Sequence, residues 1–267
     1  MHSTHLFYIF VILAGSVACK SFHKREINRD TNVDVIGPLV EPDRVHLYRY
    51  LVQVRLRCNP TCGGVIISPR HVLTAAHCVR QRDPRELTVT AGRTNKFEAN
   101  GDTVEVFAVV THPGYKSLVN DIALLILQEP LNLTGLIVAK LPDHNEDFEG
   151  QLIEASGWGH TVNLTYAYLT VRNINNSECE HPSRLCADNH DGMRTITGDS
   201  GGPVVLRRGN EVVLVGIVSG KSAAGQHKFT NVAYLRPWID QAIFEGNDLK
   251  MITEKLQPQL PGHQCEK

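Results

Sequence analysis

The chain has 267 residues, 42% of them hydrophobic and 21% charged, with a formal net charge of −1. That length suits one large or two small domains, and the composition is ordinary for a globular protein. A near-neutral balance excludes bulk charge as a way of holding nucleic acid or an anionic membrane, so no nucleic-acid partner is expected.

Residues 1–19 differ from the rest of the chain. Leu6 to Ala14 (LFYIFVILA) is an apolar run too short to span a bilayer comfortably, and the small residues Gly15, Ser16 and Ala18 come directly after it. That is the pattern of a secretory signal peptide. No later stretch is long and apolar enough to span, so the mature protein is expected to be soluble, secreted and extracellular. Residues 20–38 are polar and charged and cannot bury much apolar surface; they read as a propeptide or an N-terminal arm. Seven cysteines in a secreted chain imply disulfides with one thiol left over. Signal cleavage after Cys19 would leave an even six; cleavage after Ala18 would leave an odd one.

Short strand candidates then occur at 50–56, 64–67, 87–91, 103–111, 121–127 and 152–156, and again at 204–206, 212–218 and 229–232. They are rich in β-branched residues and separated by Gly, Pro and Asn, which predicts an all-β sandwich or barrel. Residues 237–244 (PWIDQAIF) have helical spacing, with Pro237 suited to a first turn. The domain is expected over 39–245, with a tail at 246–267. Three sequons begin at Asn132, Asn163 and Asn175, candidate glycosylation sites in a secreted chain.

Three blocks carry chemistry. Thr197-Gly198-Asp199-Ser200-Gly201-Gly202-Pro203 reads as a tight turn presenting one hydroxyl, because its glycines admit backbone angles that other residues avoid. The N–H groups of Gly198 and Ser200 are candidates for an oxyanion hole. Thr74-Ala75-Ala76-His77-Cys78 supplies a histidine, and Asn120-Asp121-Ile122-Ala123 supplies an aspartate entering an apolar run. A serine hydroxyl is a poor nucleophile at neutral pH and needs a base within reach; His77 would take its proton, and Asp121 would hold the imidazole tautomer. The chain order His, Asp, Ser matches one known arrangement of the acyl-transfer triad. There is no H-E-x-x-H spacing and no phosphate-binding glycine loop, so no metal and no cofactor is expected.

On these blocks, from about Tyr48 to Trp238, the chain resembles the chymotrypsin/trypsin-type serine proteases. The resemblance implies two six-stranded antiparallel β-barrels and a C-terminal helix. His77 and Asp121 would belong to the first barrel and Ser200 to the second, with the catalytic site between them. It also implies the disulfides Cys62–Cys78 and Cys179–Cys186, and Cys58 can then pair with Cys265 if the signal is cut after Cys19. Gly157-Trp158-Gly159 is similar to the family's packed turn before the second barrel. Ser219 falls where the family backs the triad aspartate and begins the strand that pairs with substrate. The implied partners are a protein or peptide substrate and an activating protease or inhibitor.

Three departures from the family qualify that reading. Family members are cut after a basic residue to create an N-terminal amine that pairs with the acid before the nucleophile, Asp199 here. The look-alike Val35-Ile36-Gly37-Pro38 comes after Asp34, whereas aligning the next strand points to Leu39-Val40 after Pro38, and neither is a tryptic site. Either another protease activates the chain or Asp199 never receives that amine. Second, the family's cysteine before the nucleophile is Ile196, and its partner near Ala223 is missing. Third, the resemblance places Arg194 at the floor of the specificity pocket, Gly220-Lys221 where the family has Trp-Gly, and His227 where it has glycine. Without an acid at its floor the pocket cannot select Lys or Arg. It could take a carboxylate on Arg194, or be filled by His227. The leading expectation is a secreted serine endopeptidase; its rival is a non-catalytic homologue that binds through the same cleft. A carboxylester hydrolase is weaker, since that chemistry usually rides on a G-x-S-x-G elbow.

Overall fold

The computed structural model describes residues 39–172, 179, 181–189, 199–221 and 227–256. Two closed antiparallel barrels and a C-terminal helix account for most of them, as expected. The first barrel comprises β1 (Leu51–Leu56), β2 (Asn59–Ser68), β3 (His71–Thr74), β4 (Leu87–Ala91), β5 (Asp102–Thr111) and β6 (Ala123–Leu127), closed in the order β1-β2-β3-β6-β5-β4. The second comprises β7 (Leu152–Gly157), β8 (Thr165–Arg172), β9 (Arg184–Asn189), β10 (Pro203–Arg208), β11 (Glu211–Lys221) and β12 (His227–Asn231), in the order β10-β11-β12-β9-β8-β7. Closure removes the free sheet edges that invite aggregation.

Strand sequences explain which faces are covered. β5 alternates: Val104, Val106, Ala108 and Val110 face the core while their neighbours do not. β6 (ALLIL) is buried throughout, because the C-terminal helix lies across its outer side. A Cβ added to Gly246 in that helix would fall 2.3 Å from Ile126 Cδ1. Three strands escape the sequence reading: β3, β8 and β9. β3 has only four residues, but β8 carries a usable signal, since Thr165, Ala167, Leu169 and Val171 alternate inward.

The helix needs a correction. α2 runs Val232–Leu256, so Pro237 lies inside it and not in its first turn. Asn231 caps the start, its Oδ1 accepting the Tyr234 N–H at 3.2 Å. Pro237 has no N–H for the carbonyl of Ala233, four residues back, which normally breaks a helix. Here the Asn145 N–H, from the connection between the barrels, donates to that carbonyl at 3.1 Å. A long-range bond thus fills the vacancy, and the helix continues past residue 245. Lys250 reaches back to the first barrel, donating to the Gln128 carbonyl at 2.6 Å with its ammonium 4.8 Å from the Phe107 ring centroid.

A buried polar cluster locks the barrels together from the other side. Glu154 of β7, almost wholly buried, accepts from Arg207 of β10 at 2.9 Å and from the Tyr50 hydroxyl at 3.3 Å. Arg207 also donates to the Leu47 carbonyl at 3.2 Å and stacks over Tyr48 and Tyr50. Burial, reinforced by the Glu154 carboxylate, pushes the Tyr50 hydroxyl well above its ordinary value, so it remains a donor. The disulfides Cys62–Cys78 and Cys179–Cys186 are formed. Cys58 is disulfide-bonded too, while its expected partner Cys265 lies outside the described residues.

Removing one partner of a buried pair costs more than the pair itself contributes, because the other charge is left uncompensated. Arg207→Met should therefore lower unfolding free energy by about 3 kcal/mol in urea titrations. The double variant Arg207→Met/Glu154→Leu should recover most of that loss.

Candidate active site

β3 ends at Thr74 and the chain turns at once into α1, a single helical turn at Ala76–Val79 that carries His77. The Cys62–Cys78 disulfide anchors this turn to β2. On the other side of β3 lies β6, and Asp121 sits just ahead of it. The Asp121 carboxylate is fully buried, a situation that is costly unless every oxygen is paired. It is paired from both barrels. Oδ1 accepts the His77 backbone N–H at 2.9 Å, and Oδ2 lies 2.7 Å from His77 Nδ1. The Ser219 hydroxyl donates to Oδ2 at 2.5 Å, and the Thr230 hydroxyl donates to the Asp121 carbonyl at 2.8 Å. With Nδ1–H donated to the carboxylate, Nε2 is left as the basic nitrogen.

The residue before Asp121 is held in a conformation that non-glycine residues seldom adopt: Asn120 has φ of +52°. Its N–H donates to Ser183 Oγ at 3.0 Å and its amide to the Gly114 carbonyl at 3.1 Å. Ser183 Oγ lies 2.8 Å from His181 Nδ1, so β9's leading loop braces the aspartate segment.

Ser200 is presented by a turn docked against the first barrel. Its carbonyl accepts the Gly63 N–H at 2.8 Å, and the Gly201 N–H donates to the Val218 carbonyl at 2.8 Å. Gly201 has φ of +79°, and a Cβ there would meet Thr74 Oγ1 at 2.2 Å; one on Gly63 would meet Gly202 Cα at 2.8 Å. Only glycine permits this backbone approach. Gly63 adjoins Cys62, whose disulfide partner adjoins His77, so serine and histidine are tied to one patch of the first barrel. Among the described residues no hydrogen bond joins Ser200 Oγ to His77 Nε2, which lies 3.6 Å from Cys78 Sγ. Such bonds often tighten only when substrate is bound. Cys62, His77 and Cys78 are close enough to suggest a metal cluster, but both sulfurs are spent in the disulfide and offer no thiolate.

Asp199 is buried, with Oδ1 accepting the Gly159 N–H at 2.7 Å. A Cβ on Gly157 would lie 2.1 Å from that oxygen, so glycine is required there. Trp158 bonds the Thr94 carbonyl through Nε1 at 3.1 Å. Of the expected pocket residues, Gly220 lies in β11 directly against Leu118: a Cβ on Gly220 would fall 3.0 Å from Leu118 Cδ1. His227 is buried in β12, stacked parallel to Phe229 with centroids 6.2 Å apart, and Lys221 is its strand partner in β11. Gly198 and Arg194 lie outside the described residues. Of the sequon asparagines, Asn132 and Asn163 are exposed and Asn175 lies outside the described residues.

Sequence reasoning missed Thr230, Ser183 and Lys96. Thr230 sits beside the buried Phe229 in β12 and carries no motif of its own. Lys96 and Ser183 belong to polar loops, and nothing local marks them; their neighbours come from other parts of the chain.

Comparison with known proteins agrees with this geometry. The family model described as Trypsin matches residues 40–239. A chymotrypsin from Phaedon cochleariae is 32% identical over 244 residues, covering 82% of this chain and 87% of its own length. Mast cell protease 2 of Ovis aries is 33% identical over 203 residues, covering 69% and 80%. Among solved structures, the scabies mite inactivated protease paralogue S-I1 matches with a TM-score of 0.66 at 30% identity, over 74% of this chain and 96% of that one. Two barrels meeting on a buried aspartate, a serine turn docked between them and a matching family model over most of the chain place this protein in the trypsin family of serine proteases.

Proposed function

We propose that the chain is a secreted serine endopeptidase that hydrolyses peptide bonds through His77, Asp121 and Ser200. The observation that carries this reading is the Asp121–His77 pair: a fully buried carboxylate on Nδ1 leaves Nε2 as a base. Ser200 Oγ attacks the scissile carbonyl while His77 Nε2 takes its proton, and the same nitrogen later protonates the leaving amine. Asp121 keeps the ring in the useful tautomer and offsets its positive charge. The developing oxyanion is received by the N–H groups of Ser200 and Gly198, each such donor being worth about 3–4 kcal/mol of barrier. Substrate pairs as an added strand with β11 beyond Ser219. The disulfides suit an oxidising compartment, which supports secretion through the apolar run at 6–14.

Specificity is set by the cations. The resemblance to the family implies Arg194 at the pocket floor and Lys221 at its rim, where they would repel a Lys or Arg side chain, since like charges a few ångströms apart cost on the order of several kcal/mol at intermediate dielectric. His227, buried on Phe229, narrows the wall. Cleavage is therefore directed after acidic or small residues. The scabies mite relative is an inactivated protease paralogue; here the histidine, aspartate and serine are all present.

A fluorophosphonate probe should label the secreted protein at Ser200 and fail on Ser200→Ala. No labelling of any processed form would sink the enzyme reading. Asp121→Asn should lower kcat by about 10⁴-fold, the loss established for a chymotrypsin-type triad when the tautomer is set wrongly, while the fold survives. Profiling with a peptide library should show acidic or small residues at the cleaved position, and a Lys or Arg preference would overturn the pocket argument.

A further inference from the structure

Lys96 lies between β4 and β5, in a polar loop without motif. Its main chain is fastened on both sides: its N–H donates to the Val162 carbonyl at 2.7 Å, and its carbonyl accepts from Gln53 Nε2 at 3.1 Å. The half-buried side chain then runs to Gly159, whose carbonyl accepts from Nζ at 2.7 Å. The N–H of the same Gly159 donates to Asp199 Oδ1 at 2.7 Å. Ammonium and carboxylate therefore meet on one residue from its two ends, without touching. The bare face of Gly157 fixes the direction of the carboxylate, and the Trp158–Thr94 bond ties the same two loops beside it. Burial draws the Lys96 ammonium below the ordinary lysine value, and the Asp199 carboxylate opposes that fall.

We propose that Lys96, acting through Gly159, is the built-in counter-charge of Asp199 and a positioning residue for the Ser200 turn, so that the site is set while the residues ahead of Leu39 remain attached. Its second half rests on the peptidase reading above. In the resembling family the cation facing this acid is a new N-terminal amine released by cleavage after a basic residue. This chain lacks a tryptic sequence before either candidate start, Val35 or Leu39, yet it brings an ammonium of its own to the acid's neighbour. Asp199 directly precedes Ser200 and its carbonyl accepts the Gly202 N–H at 2.8 Å, so the orientation of Asp199 sets the backbone that presents the nucleophile.

The test uses the full-length secreted chain, a form trimmed ahead of Leu39, and the variants Lys96→Met, Lys96→Arg, Asp199→Asn and Lys96→Met/Asp199→Asn. Two readouts are taken: the fluorophosphonate labelling rate and the thermal unfolding midpoint, the latter independent of activity. The intact wild type should label as fast as the trimmed form. Lys96→Met should slow labelling of the intact chain by about tenfold or more, whereas Lys96→Arg should stay within about threefold. In thermal unfolding the double variant should be no worse than the worse single one, the signature of coupled partners. Additive losses, or a Lys96→Met chain that labels like wild type, would overturn the role of Lys96. Labelling confined to the trimmed form would overturn competence before cleavage. If neither form labels, the peptidase reading falls with it, and the thermal cycle alone decides whether Lys96 and Asp199 are partners.

Discussion

Everything in this molecule has to accommodate one buried negative charge. The Asp121 carboxylate is out of contact with solvent, and an ion in that position persists only when surrounding donors replace the water it gave up. The carboxylate's donors come from α1 in the first barrel and from Ser219 of β11 in the second, while Thr230 of β12 holds the carbonyl of the same residue. Neither barrel satisfies the charge by itself. Docking the barrels and assembling the Asp121–His77 pair are therefore a single event, and a fault in packing would appear directly as a fault in that pair.

The contacts between barrels reinforce that coupling by different physical means. At the serine turn the approach is steric: Gly63, Gly201 and Gly202 bring backbone against backbone at distances that side chains forbid. At Glu154 it is electrostatic, with an arginine and a tyrosine sharing one carboxylate under two aromatic faces. At α2 it is both, since Gly246 lies on Ile126 while Lys250 binds Gln128. Each contact belongs to a different edge of the seam, so rotation of one barrel against the other strains several at once.

Much of the fold was legible in the sequence because strand alternation and the glycine-rich serine turn are local properties. The block around His77 was legible for another reason: its residues must sit in one order to carry the histidine on a tight turn beside a disulfide. The features that stayed hidden depend on distant partners. Pro237 reads as a helix start because nothing nearby reveals that Asn145 will bond the carbonyl it orphans. Lys96 carries no local mark because Gly159 and Asp199 are far away in the chain. Leu118, with φ of +71°, is unremarkable in sequence, yet its side chain comes close against Gly220 from a distant part of the chain. β8 is a different matter, since its inward alternation is a local property too and needs no distant partner to be seen.

The grip of α2 on β6 also bears on how the chain is made. Synthesis is vectorial, and domains tend to form in the order in which they leave the ribosome. β6 is complete once Leu127 has emerged, but the residues that cover its outer side, Gly246 and Lys250, come more than a hundred positions later. Until then the nascent first barrel carries an uncovered apolar strand, a surface that chaperones recognise and that favours association between unfinished chains. The final helix is thus the step that closes the window of exposure during biogenesis, and truncations that remove it would be felt first as loss of folded yield.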